Sequence, residues 1–389
     1  MARFLMLVPK PPEVTCGVWD YSTGLSGALQ RKGHEVIGRL VGGKAPFRLT
    51  HRWRKINPLF APFVAKSKNA DYFIINYEPW AYGKFVHLIT ALCRLMDVRT
   101  ILVMHSVFLA GPDEKPKGLK AWAKKILTRM LVKNCDTCLV SNRADEETLL
   151  QDIFRSVMSR DVLVKIHRIP IGSNVPHILR EKERPWNETD TLRICTLGIN
   201  RPRKGLENTM AALKILADRR VRFHWMVLGD WPRREYRDGF ETLIKEWGLN
   251  HYTTVVGRLK STALAEKLAE CHIGVFLEER GCTLKSTSLL GAYSSGIKCV
   301  CYARREGALE PLAPDPAISI IGDRAPLAVA DAIMHMARSD AWPSHKKFEM
   351  TFGWDAIEKR WEEVLGRETL IHGAVLGRGI TSATDVRPD

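Results

Sequence analysis

Short apolar runs rich in Val and Ile alternate with helical patterns along most of this chain, and that alternation excludes most folds open to 389 residues. In the first half, runs at 3–9, 35–41, 72–78, 99–105 and 137–142 read as buried strands. Helical periodicity at 24–32, 84–96 and 118–133 lies between them. The second half repeats the scheme, with strands at 193–198, 223–229, 253–257, 273–277, 299–302 and 317–321. Its helical patterns fall at 206–218, 240–246, 263–271 and 326–337. Strands joined through helices run parallel, and a parallel sheet must be covered on both faces. Two such series, divided by a stretch that begins and ends with Pro176 and Pro185, predict an α/β chain of two doubly wound domains. The expected boundaries are 1–175 for the first domain and 176–353 for the second. A C-terminal helix at 354–367 and a tail at 368–389 follow. Trp354, Ile357, Trp361 and Leu365 form one apolar stripe, and the helix is expected to pack back on the first domain. Ligands of such sheets collect beyond the carboxyl ends of the strands, here in the cleft where the halves meet.

No apolar run reaches the eighteen residues that a membrane-spanning helix needs. The first nine residues break at Pro9 and suit a buried strand better than a signal peptide. Nine cysteines without regular spacing suit a reducing cytosol. Cys135 with Cys138, and Cys299 with Cys301, lie in or beside apolar runs and read as buried structural residues, so no metal site is expected. Charge is more telling. Residues 1–180 carry 28 Lys+Arg against 14 Asp+Glu, while residues 181–389 carry 31 against 29. Nearly all of the net +16 therefore belongs to the first half, which should face an anionic partner. Within 44–68, Phe47, Trp53, Phe60 and Phe63 are interleaved with Lys and Arg, a mixture that suits anionic lipid. Residues 115–133 add seven cations, and the stripe Leu119, Trp122, Ile126, Leu127 and Met130 there reads as core packing. A single-stranded nucleic acid is the alternative partner for such a surface.

The run 280–296 carries the clearest chemistry. It joins the strand at 273–277 to a helical pattern through a glycine, Lys285 and the hydroxyl residues Ser286, Thr287 and Ser288. Unpaired amides and the positive end of a helix dipole attract anions, and Lys285 adds a full charge, so a phosphate or diphosphate is the expected ligand. Arg203 and Lys204, followed by Gly205 and a helix, repeat the arrangement and otherwise read as a solvated turn. Gly17 is either a turn glycine or a place where backbone approaches a ligand. His105 closes a strand, where active-site residues of α/β sheets collect, or else it bonds only to backbone.

Several junctions together resemble glycosyltransferases of the GT-B fold, family 4 in particular. Gly17 to Tyr21, with Leu25, Leu29 and the run 32–36, is similar to the family's first strand–loop–helix–strand unit. The segment 170–176 is similar to its interdomain hinge. Gly198 leading to Arg203-Lys-Gly205, then Gly229, Gly257-Arg258 and the 280–296 loop, come in family order. The resemblance implies two Rossmann-like domains facing a cleft. It also implies retaining transfer of a sugar, without a metal cofactor, from a UDP- or GDP-linked donor to a lipid-linked or glycan acceptor. Polysaccharide or glycoconjugate synthesis at the inner face of a cytoplasmic membrane is the matching setting.

For individual residues, the resemblance implies catalytic roles for His105, Arg203, Lys204 and Glu279. Gly17, Asn200, Arg258, Gly281, Cys282, Thr283, Lys285, Ser286, Thr287 and Ser288 then bind the donor, with Arg258 near the base. Asp20, Glu78 and Tyr82 face the acceptor or are solvated loop residues. The family's pair of loop glutamates is absent, since Thr283 and Gly291 stand at those positions. Glu279 is the substitute for the sugar contact. A glycosyltransferase acting on nucleic acid and a non-catalytic scaffold of the same fold are the alternative readings.

Overall fold

A computed structural model describes residues 1–9, 17–42, 49–50, 53–56, 58–78, 87–105, 107, 118–154, 160–175, 186–303 and 307–378. Its first sheet contains β1 (Arg3–Val8), β2 (Glu35–Gly42), β3 (Leu49–Thr50), β4 (Trp53–Ile56), β5 (Tyr72–Tyr77), β6 (Thr100–Met104), β7 (Thr137–Val140) and β8 (Ile166–Arg168). Its second sheet contains β9 (Leu192–Leu197), β10 (Phe223–Leu228), β11 (Thr253–Gly257), β12 (Ile273–Phe276), β13 (Lys298–Tyr302) and β14 (Ile318–Ile321). The strand orders are β3-β4-β2-β1-β5-β6-β7-β8 and β11-β10-β9-β12-β13-β14. Every pairing is parallel except β3 with β4.

The first half supplies α1 (Gly17–Arg31), α2 (Ala61–Ser67), α3 (His87–Leu95), α4 (Leu119–Asn134), α5 (Arg143–Glu147) and α6 (Arg160–Leu163). The second supplies α7 (Leu206–Asp218), α8 (Arg234–Glu246), α9 (Ser261–Ala269), α10 (Thr287–Ser294), α11 (Pro326–Arg338), α12 (His345–Phe352) and α13 (Trp354–Arg378).

All eleven strands expected from the apolar runs are present. β3, β4 and β8 were not legible, because β4 has two cations among its four residues and β8 is a three-residue edge strand with only Ile166 buried. α1 begins at Gly17, seven residues before the expected start, since small and polar residues break up its apolar pattern. α13 runs to Arg378, past the Arg367 at which the sequence reading ends it. No proline interrupts 368–378, and a helical glycine costs only about 1 kcal/mol relative to alanine.

Alternation along buried strands builds two core layers on each sheet. Leu5 and Leu7 of β1 join Phe73, Ile75 and Leu102 on one face. Phe4 and Met6 join Tyr21, Leu25 and Ile74 on the other, where α13 closes the layer with Ile357, Trp361, Val364 and Leu365. In the second sheet Ile194, Trp225 and Val227 face one layer, and Cys195, Met226 and Leu228 the other. Cys135, Cys138, Cys299 and Cys301 are buried, as their apolar surroundings predict.

α13 starts against the junction of the halves. The Trp354 indole N–H donates to the Ser173 carbonyl at 2.9 Å. Its ring lies where side chains on Gly24 and Gly172 would be, 2.0 Å and 2.8 Å from an added Cβ. Both sheets reverse winding direction at one strand. β1 has β2 and β5 as neighbours, and β9 has β10 and β12. The crevices beyond the carboxyl ends of these strands are the natural ligand sites.

Gly24 and Gly27 lie on the same helix but differ in surroundings. An alanine at 27 would meet nothing nearer than Arg31 at 3.8 Å, whereas one at 24 would strike Trp354. Thermal denaturation of Gly27→Ala is expected to show a gain of about 0.5–1 kcal/mol. Gly24→Ala is expected to lose about 1–3 kcal/mol.

Candidate active site

At the carboxyl end of β9, three consecutive features force the chain into an unusual path. Gly198 has φ +140°, Arg203 has φ +73° and Gly205 has φ +85°. Glycine adopts such angles freely, but a residue with a Cβ holds one only when its surroundings require it. Here they do. The Glu279 amide donates to the Arg203 carbonyl at 3.0 Å, and a Cβ on Gly205 would lie 2.2 Å from the Leu277 carbonyl oxygen. The loop after β9 is therefore pressed against the loop after β12. Ion pairs fasten the contact: Lys204 Nζ lies 2.6 Å from Glu278 Oε1, and Arg203 Nε lies 3.3 Å from Glu279 Oε2.

The result is a small cradle. A Cβ on Gly198 would stand 2.7 Å from Ser288 Oγ and 2.8 Å from Lys204 Nζ, so backbone, hydroxyl and ammonium converge on one point. Ser288 belongs to the first turn of α10, whose N-cap, Ser286, makes no side-chain cap bond. The Ser286 hydroxyl instead accepts from the Thr283 amide at 3.2 Å, and the Ser286 amide donates to the Thr283 carbonyl at 2.8 Å. The Thr287 amide turns back to the Lys285 carbonyl at 2.8 Å, so an incoming anion would meet the next amides of α10, those of Ser288 and Leu289. Gly281, at φ +78°, donates its amide to the Glu278 carbonyl and opens the turn.

The first half presents a second helix N-terminus to the first. A Cβ on Gly17, the first residue of α1, would lie 4.0 Å from Thr287 Oγ1, so the positive ends of α1 and α10 lie close together. One turn into α1, Asp20 is exposed as a residue. Desolvation of its carboxyl raises the pKa, and Arg258, beyond β11, opposes that rise. Glu78 follows β5, half-buried at the same carboxyl edge.

His105 directly follows β6 and is buried. Its Nε2 is 3.1 Å from Asn76 Oδ1, while Asn76 Nδ2 donates to the Leu7 carbonyl at 3.2 Å. With the amide so oriented, Nε2 carries the proton and Nδ1 keeps its lone pair. Burial first, then the nearby charge of Lys285, pushes His105 down to about 3. It is a neutral hydrogen-bonding group, and the Tyr21 ring holds it edge-on at 5.2 Å.

The geometry therefore brings Gly17, Lys204, Thr287 and Ser288 together, with Lys285 acting on His105 from the same loop. It redistributes other expected roles. Glu279 is exposed and holds Arg203, so Glu278 is the carboxylate beside Lys204. Cys282 is fully buried with its thiol against the Phe276 carbonyl, and burial raises its pKa well above the ordinary value. It forms the wall behind the loop, with its amide donating to the Tyr302 carbonyl at 2.6 Å. Asn200 is likewise fully buried, and neither polar atom of its side chain has a hydrogen-bond partner among the described residues. Tyr82 lies outside the described residues. Sequence reasoning placed Gly198 only at the head of its loop and missed Glu278, Asn76 and Asp145, the last of which pairs with Lys285. Asp145 follows the carboxyl end of β7, and Asn142 three residues earlier is a helix-cap residue, which is the signal that was available.

No family model matches the sequence, and no curated protein matches it. Solved structures do share its fold. Sucrose-phosphate synthase from Thermosynechococcus elongatus is 16% identical over 96% of this chain and 100% of its own, with a TM-score of 0.67. HepE of Anabaena, in complex with UDP and glucose, is 12% identical over 94% and 100%, at 0.63. The pneumococcal O-GlcNAc transferase GtfA, in complex with UDP and GlcNAc, is 9% identical over 95% and 99%, at 0.67. The fold is GT-B: two α/β domains built on largely parallel sheets.

The state of His105 has a pH consequence. An unfolded histidine takes up its proton near pH 6.5, and folded His105 does so only near 3. Between these values the unfolded chain binds the extra proton, so stability is full above 6.5 and falls as pH drops. From pH 7.5 to 5, the wild type is expected to lose about 2 kcal/mol relative to His105→Gln. Urea denaturation at the two pH values measures this, and a constant difference between the proteins would contradict it.

Proposed function

We propose that this chain is a glycosyltransferase that takes its sugar from a UDP-linked donor. The observation that carries the reading is the convergence of the two helix N-termini of α1 and α10 with Gly198, Ser288 and Lys204. A departing nucleoside diphosphate needs its growing charge stabilised as the glycosidic bond breaks. Lys204 and the α10 amides meet that charge on one side, with Lys285 three residues before Ser288. In this reading their positive charge does the work of a metal ion. The UDP complexes named among the structural neighbours favour UDP over GDP. His105, neutral and fixed by Asn76, serves as a hydrogen-bonding group toward the sugar, with transfer proceeding with retention.

A lipid-linked or glycan acceptor at an anionic membrane fits the first half. α2 packs on α3 and α3 on α4, so they present a shared face. Phe60 and Phe63 are 46% and 50% exposed, Leu95 is 83% and Trp122 is 61%. The α4 stripe was expected to be core packing, but Trp122 and Met130 are exposed and Ile126 and Leu127 are only partly buried. Lys66, Lys68, Arg94 and Arg129 belong to the same three helices and their ends. Exposed apolar side chains among cations match the interface of an anionic bilayer. No helix among the described residues is long and apolar enough to cross a membrane.

Turnover of UDP-sugars by purified Lys204→Ala and Lys285→Ala tests the donor reading. Each variant is expected to fold and to lose at least about tenfold in transfer. Near-normal turnover in both would remove the assignment. Liposome flotation tests the acceptor face: Trp122→Ala and Phe63→Ala together are expected to weaken binding to anionic vesicles and leave UDP binding unchanged.

A further inference from the structure

Asp145 has no part in the donor reading, yet it reaches from the first half to the donor loop. Its Oδ2 pairs with Lys285 Nζ. The carboxylate is held ready for that contact. Buried Asn142 caps α5 by accepting from the Asp145 amide at 2.8 Å, and its Nδ2 lies 3.3 Å from the same Oδ2. The pair is well shielded, with 23% of the lysine side chain and 15% of the aspartate side chain exposed. A second link from α5 to the second half, Arg143 to Glu310 at 3.3 Å, has both side chains about half exposed and counts for little. Of the two links that α5 makes to the second half, Asp145–Lys285 is the stronger on physical grounds.

A shielded ion pair is costly to break unless another ion takes the vacated partner. Lys285 is three residues before Ser288, in the loop assigned to the diphosphate. An arriving diphosphate offers Lys285 a replacement anion, while the Asp145 carboxylate keeps the hydrogen bond from Asn142 Nδ2.

We propose that Asp145 is a positioning residue that holds Lys285 while the donor site is empty and yields it to the donor diphosphate. The inference rests on the donor reading above and adds its regulation. Occupancy of the cradle frees Asp145 and releases the shielded tie between the halves, so donor binding and interdomain movement are linked. When the nucleoside diphosphate departs, Asp145 recaptures Lys285 and favours discharge. The same carboxylate that lowers affinity for the donor thereby helps to expel the product.

The test uses UDP as probe, with titration calorimetry and small-angle X-ray scattering on the full chain. Asp145→Asn keeps the shape of the side chain and removes the competing charge. It is expected to bind UDP at least about fivefold more tightly than wild type. Without ligand, its scattering curve should match UDP-bound wild type. Asp145→Glu restores the charge and is expected to stay near wild-type affinity. A merely structural role predicts weaker binding in both variants, and weaker or equal binding by Asp145→Asn overturns the proposal. If Asp145→Asn does not fold, Lys285→Met breaks the same pair, and its ligand-free scattering must then match UDP-bound wild type. Wild type that binds no UDP, GDP or ADP removes the donor reading itself, a distinct outcome from tight wild-type binding with no gain in the variant.

Discussion

The carbonyl oxygen of Leu277 sets the geometry of the cleft. It lies where a side chain on Gly205 would be, so the loop after β9 can reach the loop after β12 only because residue 205 has no Cβ. That contact places Lys204 beside Glu278 and Gly198 beside Ser288. It also turns Arg203 into a backbone region that costs of order 1–3 kcal/mol, repaid by the bond from Glu279. The two loops follow β9 and β12, which are neighbours at the switch point of their sheet. The anion cradle is thus a consequence of strand order plus one close backbone approach.

Charge balance follows from the same approach. Arg203, Lys204 and Lys285 each have a carboxylate partner, supplied by Glu279, Glu278 and Asp145. A cluster of three cations would repel itself without such partners. Two of the carboxylates belong to the loop after β12, and one crosses from the first half. Glu278 is tied to Lys204 within one domain, whereas Asp145 links Lys285 to the other half of the molecule.

Much of this architecture was legible in the sequence, because a strand buried on both faces is written as an unbroken apolar run. β1, with Phe4 to Val8 all fully buried, is the clearest case. The loop and helix start within 280–296 were legible for a similar reason: small residues, a lysine and a helical pattern lie consecutively. What depended on tertiary approach was not legible. Glu278 and Glu279 are adjacent in sequence, and only the path of the 203–205 turn decides which meets Lys204. Asp145 is 140 residues from Lys285 and was invisible as its partner. Cys282 sits inside the 280–296 loop, yet its thiol faces the core, which no local pattern reveals. Trp122 shows the converse error, since helical periodicity places it on an apolar stripe but not against any neighbour.

The central claim is that a diphosphate occupies the space between the N-termini of α1 and α10. A crystal structure with UDP tests it most directly. The account predicts a phosphate oxygen within about 3 Å of the Ser288 amide or hydroxyl, and another within about 3 Å of Lys204 Nζ. Lys204 and Lys285 should both face the diphosphate, and Gly17 should border it across the cleft. UDP bound elsewhere, or phosphates directed away from Lys204 and the start of α10, would contradict it.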